Sequence, residues 1–183
     1  SLGMVYLLDE MLRVFGRLRS ARPGARFLFI GHHSASDLVA RARALGIEVA
    51  EDEILVQPAE HGEVPGWLAA ADLAIGLIKP SFSSLGVSLT KLGEYLACGL
   101  PVIVNRGIGD VGEIVERIDG GVVLSAMSDT EMDRAVASLD GLLAIDPAGL
   151  RARSRLIHDM PVALAKYNEV YDSMAAAGPG RAM

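Results

Sequence analysis

The stretch S-L-T-K-L-G-E-Y-L-A-C-G-L-P-V-I-V-N, residues 88–105, decides the fold. Leu89, Leu92 and Leu96 recur at helical spacing and make one apolar face. Gly99 stops that helix, and an unbroken apolar run, 101–104, follows. A helix that hands over to a strand apolar on both sides belongs to a parallel sheet covered on both faces. The same stretch sets a puzzle. Lys91 and Glu94 sit in the first turns of an otherwise apolar helix, on the face shared by Tyr95 and Cys98.

Working outward, the pattern repeats. Met4, Leu8, Met11, Leu12, Phe15 and Leu18 predict a helix closed by Pro23 and Gly24. Strands are expected over 26–30, 54–57, 73–78, 101–104 and 121–124. Helices are expected from Ser34 or Ser36 to Leu45, and over 63–71, 90–98, 111–117, 129–143, 147–158 and 161–176. Residues 79–89 read as a serine- and glycine-rich loop, and 178–183 as a flexible tail. The fold class is α/β, a Rossmann-like parallel sheet with helices on both faces. Such sheets bind ligands beyond the carboxyl ends of their strands. The loops after Gly31, Gln57, Ile78 and Asn105 therefore share one edge, with Trp67 expected in the core.

Composition agrees. The chain has 183 residues, 51% hydrophobic and 22% charged, about one ordinary domain. Its net charge of -6 gives no bulk attraction to nucleic acid. The single cysteine, Cys98, forms no internal disulfide, reads as a small buried residue and fits a reducing compartment. No run approaches the ~20 apolar residues of a membrane span. Because the chain opens at Ser1 without an initiator methionine, it is expected to be a piece of a longer protein. A preceding strand would place Ser1, Leu2 and Gly3 on the ligand edge.

The face bearing Lys91 and Glu94 has two readings. One is a surface pair at i,i+3 spacing. The other is a nucleotide diphosphate site. Free N–H groups at Ser88, Leu89 and Thr90, with Ser88 or Thr90 as the cap, would hold phosphate. The Glu94 carboxylate would then accept hydrogen bonds from two ribose hydroxyls. No metal or other cofactor is required, since helix dipole and lysine can neutralise the diphosphate. His32 and His33 point to opposite sides of an extended chain and make poor partners for one metal. His61 and His158 read as surface residues.

Ala71-Asp72-Leu73-Ala74-Ile75, then Lys79-Pro80-Ser81, then 90–103, T-K-L-G-E-Y-L-A-C-G-L-P-V-I, resemble the donor-binding half of group 1 (family 4) glycosyltransferases. The resemblance covers residues 1–124 well and the last helices loosely. It implies a GT-B fold, with 1–177 as the nucleotide-sugar (donor) binding domain of a two-domain enzyme. It implies a UDP- or GDP-sugar donor, an N-terminal acceptor domain elsewhere, and Glu94 on the ribose. It also implies a cytoplasmic parent active in surface polysaccharide synthesis, with peripheral attachment to the inner membrane face open. Two positions depart from the family. Gly86 stands where a sugar-binding glutamate is usual, eight residues before Glu94. Ser1-Leu2-Gly3, with Tyr6 downstream, replaces the loop that normally supplies a basic pair. The candidates to replace that pair are Lys79, Lys91 and Arg106.

A competing signal is G-I-G-D-V-G, from Gly107 to Gly112, which is literally G-x-G-x-x-G between a strand and a helix. It raises a NAD-binding, dehydrogenase-like alternative. Against it, Asp110 puts a negative charge in a loop meant for pyrophosphate, and the fingerprint belongs on a first strand. A sugar-nucleotide epimerase half of the same fold is a further alternative. A receiver-like module is disfavoured, because the strands end in Gly31, Gln57, Lys79 and Asn105 rather than in a phosphorylatable aspartate.

Overall fold

The computed structural model describes residues 5–176. The expectations for Ser1, Leu2, Gly3, Met4 and the tail lie outside those residues. In chain order the elements are α1 Leu8–Ala21, β1 Phe27–Ile30, α2 Ala35–Ala44, β2 Ile54–Gln57, α3 Val64–Leu68, β3 Ala74–Gly76, α4 Thr90–Ala97, β4 Val102–Asn105, α5 Val111–Arg117, β5 Gly121–Leu124, α6 Asp129–Ala137, α7 Leu139–Leu143, α8 Pro147–His158 and α9 Met160–Ala176. Strand and helix alternate from α1 to α6, and every ladder among the described residues is parallel. The α/β, Rossmann-like architecture expected from the sequence is therefore present.

The strands form two sheets, a smaller one of two strands and a larger one of three, not the single sheet expected. β1 pairs with β2, β3 with β4 and β4 with β5, and no ladder joins β1 to β3. Helix α1 lies across both. Its Leu12 and Phe15 pack with Ile54 and the β1 face, while Met11, Val14 and Leu18 pack with Leu77, Ile103 and Leu124. The other face of the larger sheet is covered by α4 and α5, through Leu92, Leu96, Ile114 and Val115. Residues Val102, Ile103 and Val104 of β4 are fully buried, as the apolar run requires of a central strand.

Several expectations need correction. β3 stops at Gly76, because Leu77 gives its carbonyl to the Leu7 N–H at 3.0 Å and Ile78 bridges Tyr6 in antiparallel sense. The helix expected over 129–143 breaks at Ser138, whose hydroxyl donates to the Arg134 carbonyl at 3.0 Å. Helix α3 is short and anchors through Leu68, which leaves Trp67 exposed rather than in the core. Cys98 is half-buried, and that burial pushes its thiol pKa up. Helix α9 packs only lightly on α8 and exposes Met160, Leu164, Tyr167, Tyr171 and Met174.

Candidate functional site

The carboxyl edge of the larger sheet is built from three loops. The first is the entry segment 5–7, held across the end of β3. Besides the bond from Leu7, the Lys79 N–H donates to the Val5 carbonyl at 2.8 Å. The second, 79–89, contains a 3-10 turn, Ser83–Gly86. The third, 106–110, leads from β4 into α5.

The second and third loops are locked together through Ser84. Its hydroxyl donates to the Ser81 carbonyl at 2.7 Å and lies 3.1 Å from the Gly107 carbonyl. The Ser81 N–H donates to the Ser84 hydroxyl at 2.7 Å. The Gly109 N–H donates to the Ser84 carbonyl at 2.9 Å. Gly109 has φ +40°, in the left-handed region. The glycine pattern 107–112 thus serves close packing. The N–H of Gly109 and the space beside it, which a pyrophosphate would need, are taken by the Ser84 and Val87 carbonyls.

Asn105 and Arg106 stand at the tip of β4, where the sequence places them beside the ligand, but each is engaged elsewhere. Asn105 is buried. It accepts from the Ile78 N–H at 2.8 Å and donates to the Ile78 carbonyl at 3.0 Å and the Arg106 carbonyl at 2.9 Å. It therefore ties β4 to the end of β3, where the β3–β4 ladder has run out. Arg106, expected as a cation of the site, forms an ion pair with Glu116 on α5.

Helix α4 begins at this edge. Its N-cap is Leu89, with no side-chain cap, so neither Ser88 nor Thr90 plays the capping role expected of it. The reason is burial: Leu89 is 8% exposed, and holding it in the core sets the flanking position. The first-turn N–H groups at the edge are thus left without a side-chain acceptor. Ser88, Thr90 and Lys91 are exposed. Glu94 is half-buried, and its carboxylate has no hydrogen bond or ion pair with any described residue. Tyr95 lies behind it, and burial pushes its pKa up to about 12, with smaller effects from Tyr6 and Glu94. Lys91 does not pair with Glu94. Its Nζ stands 4.5 Å from the centroid of the Tyr6 ring.

The structure thus brings Lys79, Lys91, Tyr6 and the start of α4 to one edge, with Glu94 one turn further along α4. Gly86 ends the 3-10 turn in open space, with nothing within 4 Å of where a Cβ would stand. Gly31 lies at the carboxyl end of the other ladder, where its N–H donates to the Gln57 carbonyl at 2.9 Å. Sequence reasoning missed Ser84, a buried serine in a serine-rich loop that carries no spacing signal of its own. His158 is exposed at one side but packs on α4: its ring carbon Cδ2 would stand 3.6 Å from a Cβ on Gly93. Burial lowers its pKa, against the opposing pull of Asp110. Among the described residues, no cluster of three or more His, Cys, Asp or Glu side chains could hold a metal. None of their helices is long and apolar enough to cross a membrane.

Known proteins resemble this chain in sequence and in fold. The D-inositol 3-phosphate glycosyltransferase of Segniliparus rotundus is 30% identical over 152 residues, covering 80% of this chain and 31% of that protein. The crystal structure of WaaG, a glycosyltransferase involved in lipopolysaccharide biosynthesis, superposes with TM-score 0.64 at 16% identity, covering 85% of this chain and 40% of that one. An E. coli trehalose-6-phosphate structure, bound with UDP-2-fluoro glucose, gives TM-score 0.59 at 15% identity, covering 95% and 42%. The chain therefore spans about a third of the length of its curated relative and about two fifths of the solved structures. Its fold is that of the Rossmann-like half of a GT-B protein. The sequence profile described as "Glycosyl transferases group 1" matches residues 3–140, and on that match the chain belongs to the group 1 glycosyltransferases.

Proposed function

We propose that this chain is the donor-binding domain, 1–177, of a glycosyltransferase that moves a sugar from a UDP- or GDP-sugar to an acceptor held by a separate N-terminal domain. One observation carries the reading. Glu94, a half-buried carboxylate without a partner among the described residues, stands one turn into a helix whose start is uncapped and which carries a lysine. A carboxylate in that position suits two vicinal ribose hydroxyls, and the N–H groups at Ser88, Leu89 and Thr90 suit phosphate. Lys79, Gly31 and Gly86 are assigned to the same ligand on this reading. The UDP-2-fluoro glucose in a solved structure of this fold supports a nucleotide-sugar donor. The resemblance further suggests work on surface polysaccharide in the cytoplasm, at the inner face of a membrane.

A thermal-shift series with UDP, GDP, ADP, CMP and NAD tests the reading. Stabilisation by UDP or GDP is the expected result and names the base. Stabilisation by NAD alone contradicts it and favours the dehydrogenase-like alternative.

A further inference from the structure

The contact between Lys91 and Tyr6 links α4 to the entry segment. The ammonium stands 4.5 Å from the ring centroid, within the range of a cation–π interaction. Tyr6 is a fixed platform. Its residue bridges Ile78, and its neighbours Val5 and Leu7 are hydrogen-bonded to Lys79 and Leu77. Its ring packs against the main core cluster, close to Tyr95. Lys91 forms no ion pair with any described residue, so the ring is what biases its long stem. Of the other candidate cations, Arg106 is committed to Glu116, and Lys79 has no ring beside it among the described residues.

We propose that Tyr6 is a positioning residue that holds the Lys91 ammonium at the carboxyl edge, where it neutralises the diphosphate of the donor. The inference rests on the donor-binding reading above. An ammonium has three N–H donors, so it can keep one face on the ring and offer the others to phosphate oxygens. A fixed lysine loses less conformational freedom on binding than a free one.

Calorimetric titration of the 183-residue chain with UDP and GDP, and with uridine and guanosine, tests this. The variants are Lys91→Met, Tyr6→Leu, Tyr6→Phe and the double variant Tyr6→Leu/Lys91→Met. Lys91→Met is expected to weaken diphosphate binding about tenfold, as loss of a charge-assisted contact should. Tyr6→Leu is expected to weaken it about two- to fivefold, the scale of an exposed cation–π contact, while Tyr6→Phe keeps wild-type affinity. Nucleoside binding should not move, and Tyr6→Leu should add nothing once Lys91 is Met. Wild-type diphosphate affinity in Tyr6→Leu overturns the inference. So does an equal loss from Tyr6→Leu in the Lys91→Met background, which would mark a purely structural role. Both results leave donor binding standing. A wild-type chain that binds none of the four compounds removes the donor reading and this inference together.

Discussion

Gly109 rests on the carbonyl of Val87 so closely that a Cβ built on it would overlap that oxygen. The contact joins the loop after β4 to the loop that precedes α4, and so fixes how α4 is presented at the ligand edge. A side chain at Gly109 must push the two loops apart and also holds φ at +40°. Gly109→Ala is therefore expected to destabilise the chain by roughly 1–3 kcal/mol. Gly86→Ala, where a Cβ meets nothing within 4 Å, should change stability by less than about 0.5 kcal/mol. Urea unfolding midpoints measure both. Equal midpoints for the two variants would contradict the packing role of Gly109.

Asn105 is expected to be a structural residue rather than a ligand. Its side chain pairs with both polar groups of the Ile78 main chain in a buried site. Asn105→Ala should cost about 1–3 kcal/mol by leaving those groups unpaired. A variant of wild-type stability that has lost nucleotide binding would instead make Asn105 part of the site.

Glu131 predicts an acid limb in the stability profile. The Arg134 guanidinium, together with the Ser125 N–H at 2.7 Å, lowers its pKa from 4.5 to about 2. A carboxyl depressed in the folded state contributes stability above its unfolded pKa and loses it as pH falls through the folded one. The contribution of Glu131 should therefore be present above pH 4.5 and disappear between there and about pH 2. Unfolding midpoints across that window should fall less steeply in Glu131→Gln than in the wild type. Identical slopes would show that Arg134 and Ser125 do not hold the carboxylate.

Much of this fold was legible in the residues. β2, α5, β5 and α8 fall on the expected bounds, because each is an apolar or amphipathic run closed by glycine, proline or a sharp change of polarity. Gly99 stops α4 as expected: its φ is +78°, and Pro147 packs against it so closely that no side chain fits. What the sequence hid depends on distant partners. Nothing local shows that the Asn105 amide will bond to Ile78, or that Arg106 will find Glu116. The break at Ser138 was hidden because serine is tolerated within helices and interrupts this one through its bond to Arg134. Leu89 displaced the polar caps because burying a leucine outweighed a side-chain hydrogen bond. Of the candidate site, the sequence groups the start of α4, Lys91 and Glu94, whereas the Tyr6 platform needed the fold.

The central claim is that Glu94 holds the ribose of a nucleotide diphosphate, and titration with a ribose and a 2′-deoxyribose form of the same compound tests it most directly. UDP against dUDP, or GDP against dGDP, would be measured in the wild type and in Glu94→Ala. The account predicts that the wild type prefers the ribose form, by about fivefold or more for a hydrogen bond to a charged group. Glu94→Ala should bind both forms weakly and alike while keeping its unfolding midpoint. A ribose preference that survives in Glu94→Ala would contradict the assignment.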